Sequence, residues 1–293
     1  METVFFGFAV QAAVASNGTA EAKSARIKEL LTPQLSENAT IVFPDSDRWH
    51  DVTHRAAAPR VNPGYLAVVE VASEDDVVNY VANEIGVPFL AVTGTHGWTD
   101  DISKIQDGIQ IRMRGLNHTG LGPNNETAYA GGGVIQYEVV QALYAYGKQA
   151  VHGLCECVSI MSPLLGGGHS VLQGDHGFAA GNLVSARVAL HDGTVVTASA
   201  TENEDLFWGL RGAGYNLGIV LEFEIKAYDT HTIADPGLVV LNGYYRNLPE
   251  FNTKPVLVME LIYQGYNTST SKCSTPSSIL MLPGLALVIV LLF

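Results

Sequence analysis

Between Tyr65 and Ala227 the spacing of apolar residues switches repeatedly between the period of a strand and that of a helix. Tyr65 to Val71 is a valine-rich strand. Ser73 then caps a helix that opens on Glu74-Asp75-Asp76, carboxylates that suit the positive end of a helix. Val77, Val78, Val81 and Ile85 give that helix an apolar face, and Gly86 ends it. Pro88 to Val92 is the next strand, so Gly94 to Trp98 falls in a loop just past a strand end. Ile109 to Met113 alternates as a strand, and Thr127 to Ala130 is another, running into Gly131-Gly132-Gly133. Val134 to Tyr146 predicts a helix closed by Gly147. Leu183 to Leu190 and Thr194 to Ser199 predict a hairpin across His191-Asp192-Gly193, where Asp-Gly favours a type I′ turn. Glu204 to Leu210 reads as a short helix, Arg211 to Leu217 as a glycine loop and Gly218 to Ala227 as a strand. Upstream, residues 22–60 are polar and mixed. A helix is expected over Ala20 to Leu31, stopped by Pro33, and Pro59 to Pro63 reads as a linker.

Strand–helix–strand units followed by hairpins predict an α+β fold rather than a doubly wound sheet. Gly212-Ala213-Gly214 comes nearest to a dinucleotide fingerprint. Its third glycine should stand at position 217, which is Leu217, so a nicotinamide-binding domain is set aside.

Composition narrows the picture. With 293 residues, 47% of them hydrophobic, the chain can bury the core of one large domain or two modest ones. A net charge of −13 argues against a nucleic-acid partner, which requires a basic surface. It leaves a diphosphate ligand open, because backbone amides bind phosphate without lysines. Cys155, Cys157 and Cys273 are too few for a disulfide framework. Residues 1–21 have the apolar run and the Ala13-Val14-Ala15 end of a possible signal peptide, but Glu2 stands where positive charge is usual. Sequons at Asn17, Asn38, Asn117, Asn125 and Asn267 favour a secreted glycoprotein; a membrane-anchored or cytoplasmic protein is the alternative. The stretch from Ile279 to Phe293 is almost wholly apolar. It contains Pro283 and falls short of the roughly 20 residues of a spanning helix. The preferred reading is a non-native tail over residues 277–293, with membrane contact only if that tail is genuine.

Candidate chemistry gathers in glycine-rich loops. Gly94-Thr95-His96-Gly97-Trp98 holds one nucleophilic side chain, and His152-Gly153-Leu154-Cys155-Glu156-Cys157-Val158-Ser159 holds more. Gly166-Gly167-Gly168-His169-Ser170 follows. Glycine lets backbone N–H groups approach a phosphate closely, since no Cβ intervenes. His152, Cys155 and Cys157 also offer soft ligands for zinc or copper, although no second ligand pair accompanies them.

Together these loops resemble the berberine-bridge-enzyme-like flavoproteins, which have the PCMH-type FAD-binding fold of vanillyl-alcohol oxidase. Fungal members usually carry Gly-Gly-Gly-His-Gly/Ser, then Gly-x-Cys-Pro-Thr-Val-Gly, then Gly-Gly-Gly-His/Tyr. The resemblance implies FAD bonded to His96 and to Cys155, with Cys157 in a place usually held by threonine. Gly94, Thr95, Gly97, Trp98, Ser159, Gly166, Gly167, Gly168 and His169 would line the cofactor. Ser159 stands where glycine is usual. Asn182 matches the asparagine of a family Asp-Asn pair, with Gly181 in place of the aspartate. Arg211 to Val220 resembles the family's Arg-Gly-Gly/Ala-Gly-x-Asn-Phe-Gly-Ile-Val, which would set the Ile219 backbone toward the adenine.

The resemblance covers about residues 40 to 230, with a PCMH-type domain of two α/β subdomains over 61–232. Residues 233–276 read as the remnant of an incomplete substrate domain. The implied activity is hydride abstraction from a small organic substrate, with molecular oxygen taking the electrons. A flavin-binding fragment without turnover and a membrane-tethered glycoprotein are the alternatives. No catalytic base is named, because Tyr244, Tyr245 and Tyr263 are only nearby tyrosines.

Overall fold

The computed structural model describes residues 18–55, 60–82, 87–97, 99–153, 155 and 157–230, with side chains outside 79–82. Beyond residue 230 it describes the backbone of four strands. Trp98, Gly86, the N-terminal segment to residue 17 and part of the expected 59–63 linker lie outside the described residues. The chain divides after Tyr228 into two compact units.

The first unit contains two sheets, as an α+β fold with two subdomains requires. In the first sheet β1 (Thr40–Val42), β2 (Tyr65–Glu70), β3 (Phe89–Val92) and β4 (Gly108–Arg112) lie in the order β1-β2-β4-β3. The β2–β4 and β3–β4 pairings are parallel, and β1 runs antiparallel to β2. Two helices, α1 (Ala20–Leu31) and α3 (Glu74–Ala82), bury apolar side chains with this sheet: Ile27, Leu31 and Val77 pack with Ala67, Val69, Ile109 and Ile111. The short α2 (Trp49–Thr53) packs Val52 with Val42 and Val68. Gln110 donates through Nε2 to the Val52 carbonyl at 2.7 Å, which ties α2 to β4.

The start of α3 is fixed by charge. Asp76 is buried and accepts from the backbone N–H groups of Ser36, Ala72 and Ser73 at 2.6, 2.9 and 2.8 Å. Ser73 Oγ in turn accepts from the Asp76 N–H, so the two side chains cap the helix reciprocally. Burial pushes the Asp76 pKa up, but the hydrogen bonds outweigh it and hold the carboxyl below its ordinary value.

The second sheet contains β5 (Thr119–Leu121), β6 (Thr127–Gly131), β8 (Leu183–Ala189), β9 (Val195–Ser199) and β10 (Ile219–Asp229) in the order β5-β6-β10-β8-β9. A short β7 (Lys148–Ala150) also pairs with β10. Helix α4 (Gln136–Tyr144) is closed by Gly147 at φ 65° and packs Val139 and Leu143 into the core with Phe223 and Ile225. That core also takes Leu164 and Leu165 of α5 (Met161–Leu165), and Phe207 and Leu210 of α7 (Glu204–Ala213). A single turn, α6 (Gln173–His176), lies between α5 and β8. An ion pair, Arg187 to Glu74 at 2.8 Å, joins β8 to α3.

Two sequence expectations require correction. The hairpin between β8 and β9 does not use a type I′ turn, because Asp192 does not have positive φ. Gly193 alone takes it, at 81°. Its N–H donates to Leu190 O, and the Leu190 N–H donates to Thr194 O, the pattern of a three-residue loop with a bulge. The stretch Arg211 to Leu217 is not one open loop. Helix α7 continues through Ala213 with a kink at Arg211 and Gly212, then a 3-10 turn covers Gly214–Asn216. Gly212 absorbs the kink at φ 138°.

In the second unit β11 (Gly237–Asn247), β12 (Pro255–Gln264), β13 (Ile279–Met281) and β14 (Leu287–Leu291) form an antiparallel sheet in the order β11-β12-β14-β13. The apolar tail enters this sheet as β13 and β14, with Met259 opposite Ile289. Among the described residues no helix is long and apolar enough to cross a membrane.

Candidate functional site: two facing loops and a glycine turn

The His96 loop leaves the end of β3 and is tied down at both ends. Thr93 Oγ1 donates to the Gly132 carbonyl at 2.8 Å, joining the loop to the triple glycine between β6 and α4. At its far end the Gly97 carbonyl accepts from Nη2 of Arg55 at 3.0 Å. Between these anchors Gly94 lies against the cysteine loop. A Cβ at position 94 would stand 2.9 Å from the Cys157 carbonyl oxygen and 3.1 Å from the Ser159 nitrogen. Only glycine permits that approach.

The cysteine loop is placed by α4. Ile135 and Ser159 form an isolated antiparallel bridge, and the Gln136 N–H donates to Val158 O at 2.9 Å. Ser159 is buried and its Oγ accepts from the Ser162 N–H at 3.3 Å. His152 Nδ1 lies 2.7 Å from the Gly153 carbonyl and 3.1 Å from Gln136 Oε1, so this nitrogen carries the proton. Burial pulls the His152 pKa down, against the hydrogen bond to Gly153, and keeps the ring neutral.

The two loops meet at a thiol and an imidazole. His96 Nε2 lies 3.5 Å from Sγ of Cys157. His96 Nδ1 is buried and has no hydrogen-bond partner. Cys155 and Cys157 are both free and exposed. Thus the sequence-predicted His96 and cysteine loop are brought together, and Cys157 is the cysteine seen at the histidine. Among the described residues no three His, Cys, Asp or Glu side chains gather closely enough to hold a metal ion.

The third loop has a different construction. Gly167 and Gly168 have φ of 109° and 72°. Their carbonyls accept from the Ala180 and Ala179 N–H groups at 2.9 Å, closing the turn on the segment before β8. Gly166 lies against Tyr215, whose Oη would stand 2.8 Å from a Cβ at 166. His169 is exposed, with Nδ1 3.0 Å from Gln173 Oε1 and its ring edge-on to Phe178. Asn182 is buried, and Nδ2 donates to the His176 and Phe178 carbonyls at 2.9 Å. Its Oδ1 accepts from the Tyr228 hydroxyl at 2.6 Å, and Tyr228 stacks on His176 at 3.6 Å between centroids. Ile219 is the buried first residue of β10, opposite Ala189.

Sequence reasoning missed Arg55, Gln136 and Tyr228. Each acts through a backbone carbonyl or another side chain distant in sequence, and none sits in a motif.

These loops fit a flavin nucleotide. A glycine at 94 keeps the backbone approach open, His96 Nε2 meets the thiol of the cysteine loop, and His96 Nδ1 is buried without a partner. The FAD binding domain family matches residues 65–199. The FAD-linked oxidoreductase OXR2 of Pyricularia oryzae is 39% identical over 208 residues, covering 70% of this chain and 40% of the relative. Xylooligosaccharide oxidase from Myceliophthora thermophila C1 shares 29% identity at a TM-score of 0.64, over 69% of this chain and 43% of that one. BBE-like 1 of Physcomitrella patens shares 26% at a TM-score of 0.63, over 78% and 47%.

The first unit therefore carries an FAD-binding domain whose fold is similar to that of the berberine-bridge-enzyme-like protein, and FAD is its cofactor. The chain is a homologue of the fungal FAD-linked oxidoreductases. It spans about half the length, or less, of these relatives.

Proposed function

We propose that the protein is an FAD-linked oxidase of a small organic molecule, with FAD bonded to His96. The observation that supports this reading most directly is His96 itself. Its Nε2 is engaged at 3.5 Å by Cys157, while its Nδ1 is buried and unpartnered. In the tautomer whose Nε2–H faces the sulfur, Nδ1 keeps a free lone pair shielded from water. That neutral nitrogen is the nucleophile that attachment requires.

When bound, FAD would supply two-electron chemistry suited to an alcohol, amine or activated C–H donor, with oxygen as the electron acceptor. This chain's residues hold and orient. Glycine at 94 and 97 lets the backbone of this loop approach an anionic group closely. Gly166, Gly167 and Gly168, whose turn is closed by the Ala179 and Ala180 N–H groups, are a further glycine loop for the cofactor. Cys155 is the second attachment point that the family pattern suggests. The position of Cys157 beside His96 favours a second reading, in which Cys157 is the thiol that reaches the flavin. The exposed sequons at Asn38, Asn117 and Asn125 support glycosylation in a secreted protein.

Acid precipitation followed by peptide mapping tests both readings. A yellow pellet with flavin on the His96 peptide is expected. An adduct on Cys155 or on Cys157 decides between the two thiols. A folded, colourless protein that takes up no added FAD would overturn the reading.

A further inference from the structure

Arg55 differs from the other arginines around it. Arg48 and Arg112 pair with Glu70, Arg114 with Glu138, Arg187 with Glu74, Arg26 with Glu29 and Arg60 with Asp100. Arg211 is exposed and lies over the ring of Phe207. Arg55 is 5% exposed, and among the described residues no carboxylate lies within ion-pair distance of it. Its Nη2 donates to the Gly97 carbonyl, and its Nε is buried without a partner. Beside it the Tyr65 hydroxyl is also buried and unpartnered; burial pushes that phenol's pKa up to about 12, so it stays neutral and cannot balance the charge. Burial likewise pulls the Arg55 pKa down, but a guanidinium remains charged under all ordinary conditions. A buried cation without a counter-ion is costly, and proteins retain one where an anion completes it.

The place of this charge is specific. Arg55 sits directly beneath the His96 loop, and Gly97 is glycine where a Cβ would come within 2.8 Å of Nη2. By holding the Gly97 carbonyl inward, Arg55 fixes the peptide planes of the loop. The loop itself, Gly94 to Gly97, contains no lysine or arginine, in a chain of net charge −13.

We propose that Arg55 is a positioning residue for the cofactor, whose buried positive charge, beneath the Gly97 carbonyl, balances the diphosphate of FAD bound at the His96 loop. This rests on the reading of the site as an FAD site. It has two parts, a geometric one through the carbonyl and an electrostatic one through the uncompensated charge. It also implies that the flavin-free protein carries strain that the cofactor relieves.

The test compares the whole chain with Arg55→Met and Arg55→Lys, all produced without flavin and titrated with FAD and with riboflavin under identical salt, before any bond to His96 forms. Quenching of flavin fluorescence gives both affinities, and thermal unfolding of the flavin-free proteins gives stability. Arg55→Met is expected to lose at least tenfold in FAD affinity and to keep its riboflavin affinity. Its flavin-free form should melt at the wild-type temperature or above, because an unpaired buried charge has gone. Arg55→Lys should recover most of the FAD affinity. Equal FAD affinity in wild type and Arg55→Met would overturn the proposal. So would equal losses for FAD and riboflavin, or a large fall in flavin-free stability, since either would leave only a structural role. A wild-type chain that binds neither flavin would instead bring down the FAD reading, and this inference with it.

Discussion

The His96 loop and the Gly166–Gly168 loop share a glycine-rich composition, yet they are held in opposite ways. The first is gripped from outside. Thr93 bonds to Gly132, Arg55 to Gly97, and Gly94 abuts Cys157 and Ser159. These anchors use backbone carbonyls and leave reactive side-chain atoms, His96 Nδ1 above all, without a partner. The second loop is closed on itself. Gly167 and Gly168 take positive φ, the Ala179 and Ala180 N–H groups satisfy their carbonyls, and the Asn182 network braces the segment that follows. One loop is arranged for chemistry and the other for shape, and glycine serves a different purpose in each.

The largest effect that could break this contrast is on flavin attachment. His96→Ala should abolish acid-stable flavin on that peptide, while His169→Ala should leave it intact. Mass mapping of the two variants checks this, and equal losses would erase the distinction between the loops.

Next comes the interior of the second loop. Asn182→Ala removes three hydrogen bonds and leaves two carbonyls and the Tyr228 hydroxyl unanswered, at a cost of about 2–3 kcal/mol. Tyr228→Phe, which removes one of the three, should cost about 1 kcal/mol. Denaturant unfolding of the two single variants and the double variant gives the coupling.

Away from both loops, Asp76→Asn should cost about 2 kcal/mol at pH 7. Because the folded carboxyl titrates below its ordinary value, its stabilisation is complete above the unfolded pKa and is lost as pH falls through the folded one. The gap between wild type and variant should therefore close in acid, and urea midpoints from pH 7 downward measure it. A gap independent of pH would mean that shape rather than charge fixes the start of α3.

The smallest effect sharpens the role of glycine. A Cβ on Gly167 meets no atom within 4 Å, so Gly167→Ala is opposed only by its φ of 109° and should cost about 1–2 kcal/mol. Gly94→Ala has no positive φ to oppose it, but its Cβ would meet the Cys157 carbonyl and push the two facing loops apart. A fall in flavin affinity together with a lower melting temperature is its expected signature.

Much of this arrangement was legible along the chain. Helix α1 runs from Ala20 to Leu31 as expected, because Pro33 ends it, and Gly147 closes α4 through its positive φ. The α+β class and the glycine loops followed from periodicity and motif. What escaped has physical causes. Strands β1, β5 and β7 are three residues each, too short to show a period. Helix α5 contains Pro163, which reads as a breaker. It is tolerated because a proline in the first turn removes an N–H with no intrahelical partner. The Asp-Gly signal named the wrong turn because loop length, three rather than two residues, decides the turn type. The meeting of His96 with Cys157 joins residues 61 positions apart in sequence, and local spacing does not report it.

The order of strands in the second sheet also determines when the molecule can first become itself. Strand β10 lies between β6 and β8, with Phe223 opposite both Ala130 and Ala186. Without β10 the β5–β6 and β8–β9 pairs would each keep one strand edge unpaired. Closing the sheet joins segments far apart in sequence, the slow kind of contact. A chain cut before Ile219 should therefore expose the β6 and β8 edges and aggregate.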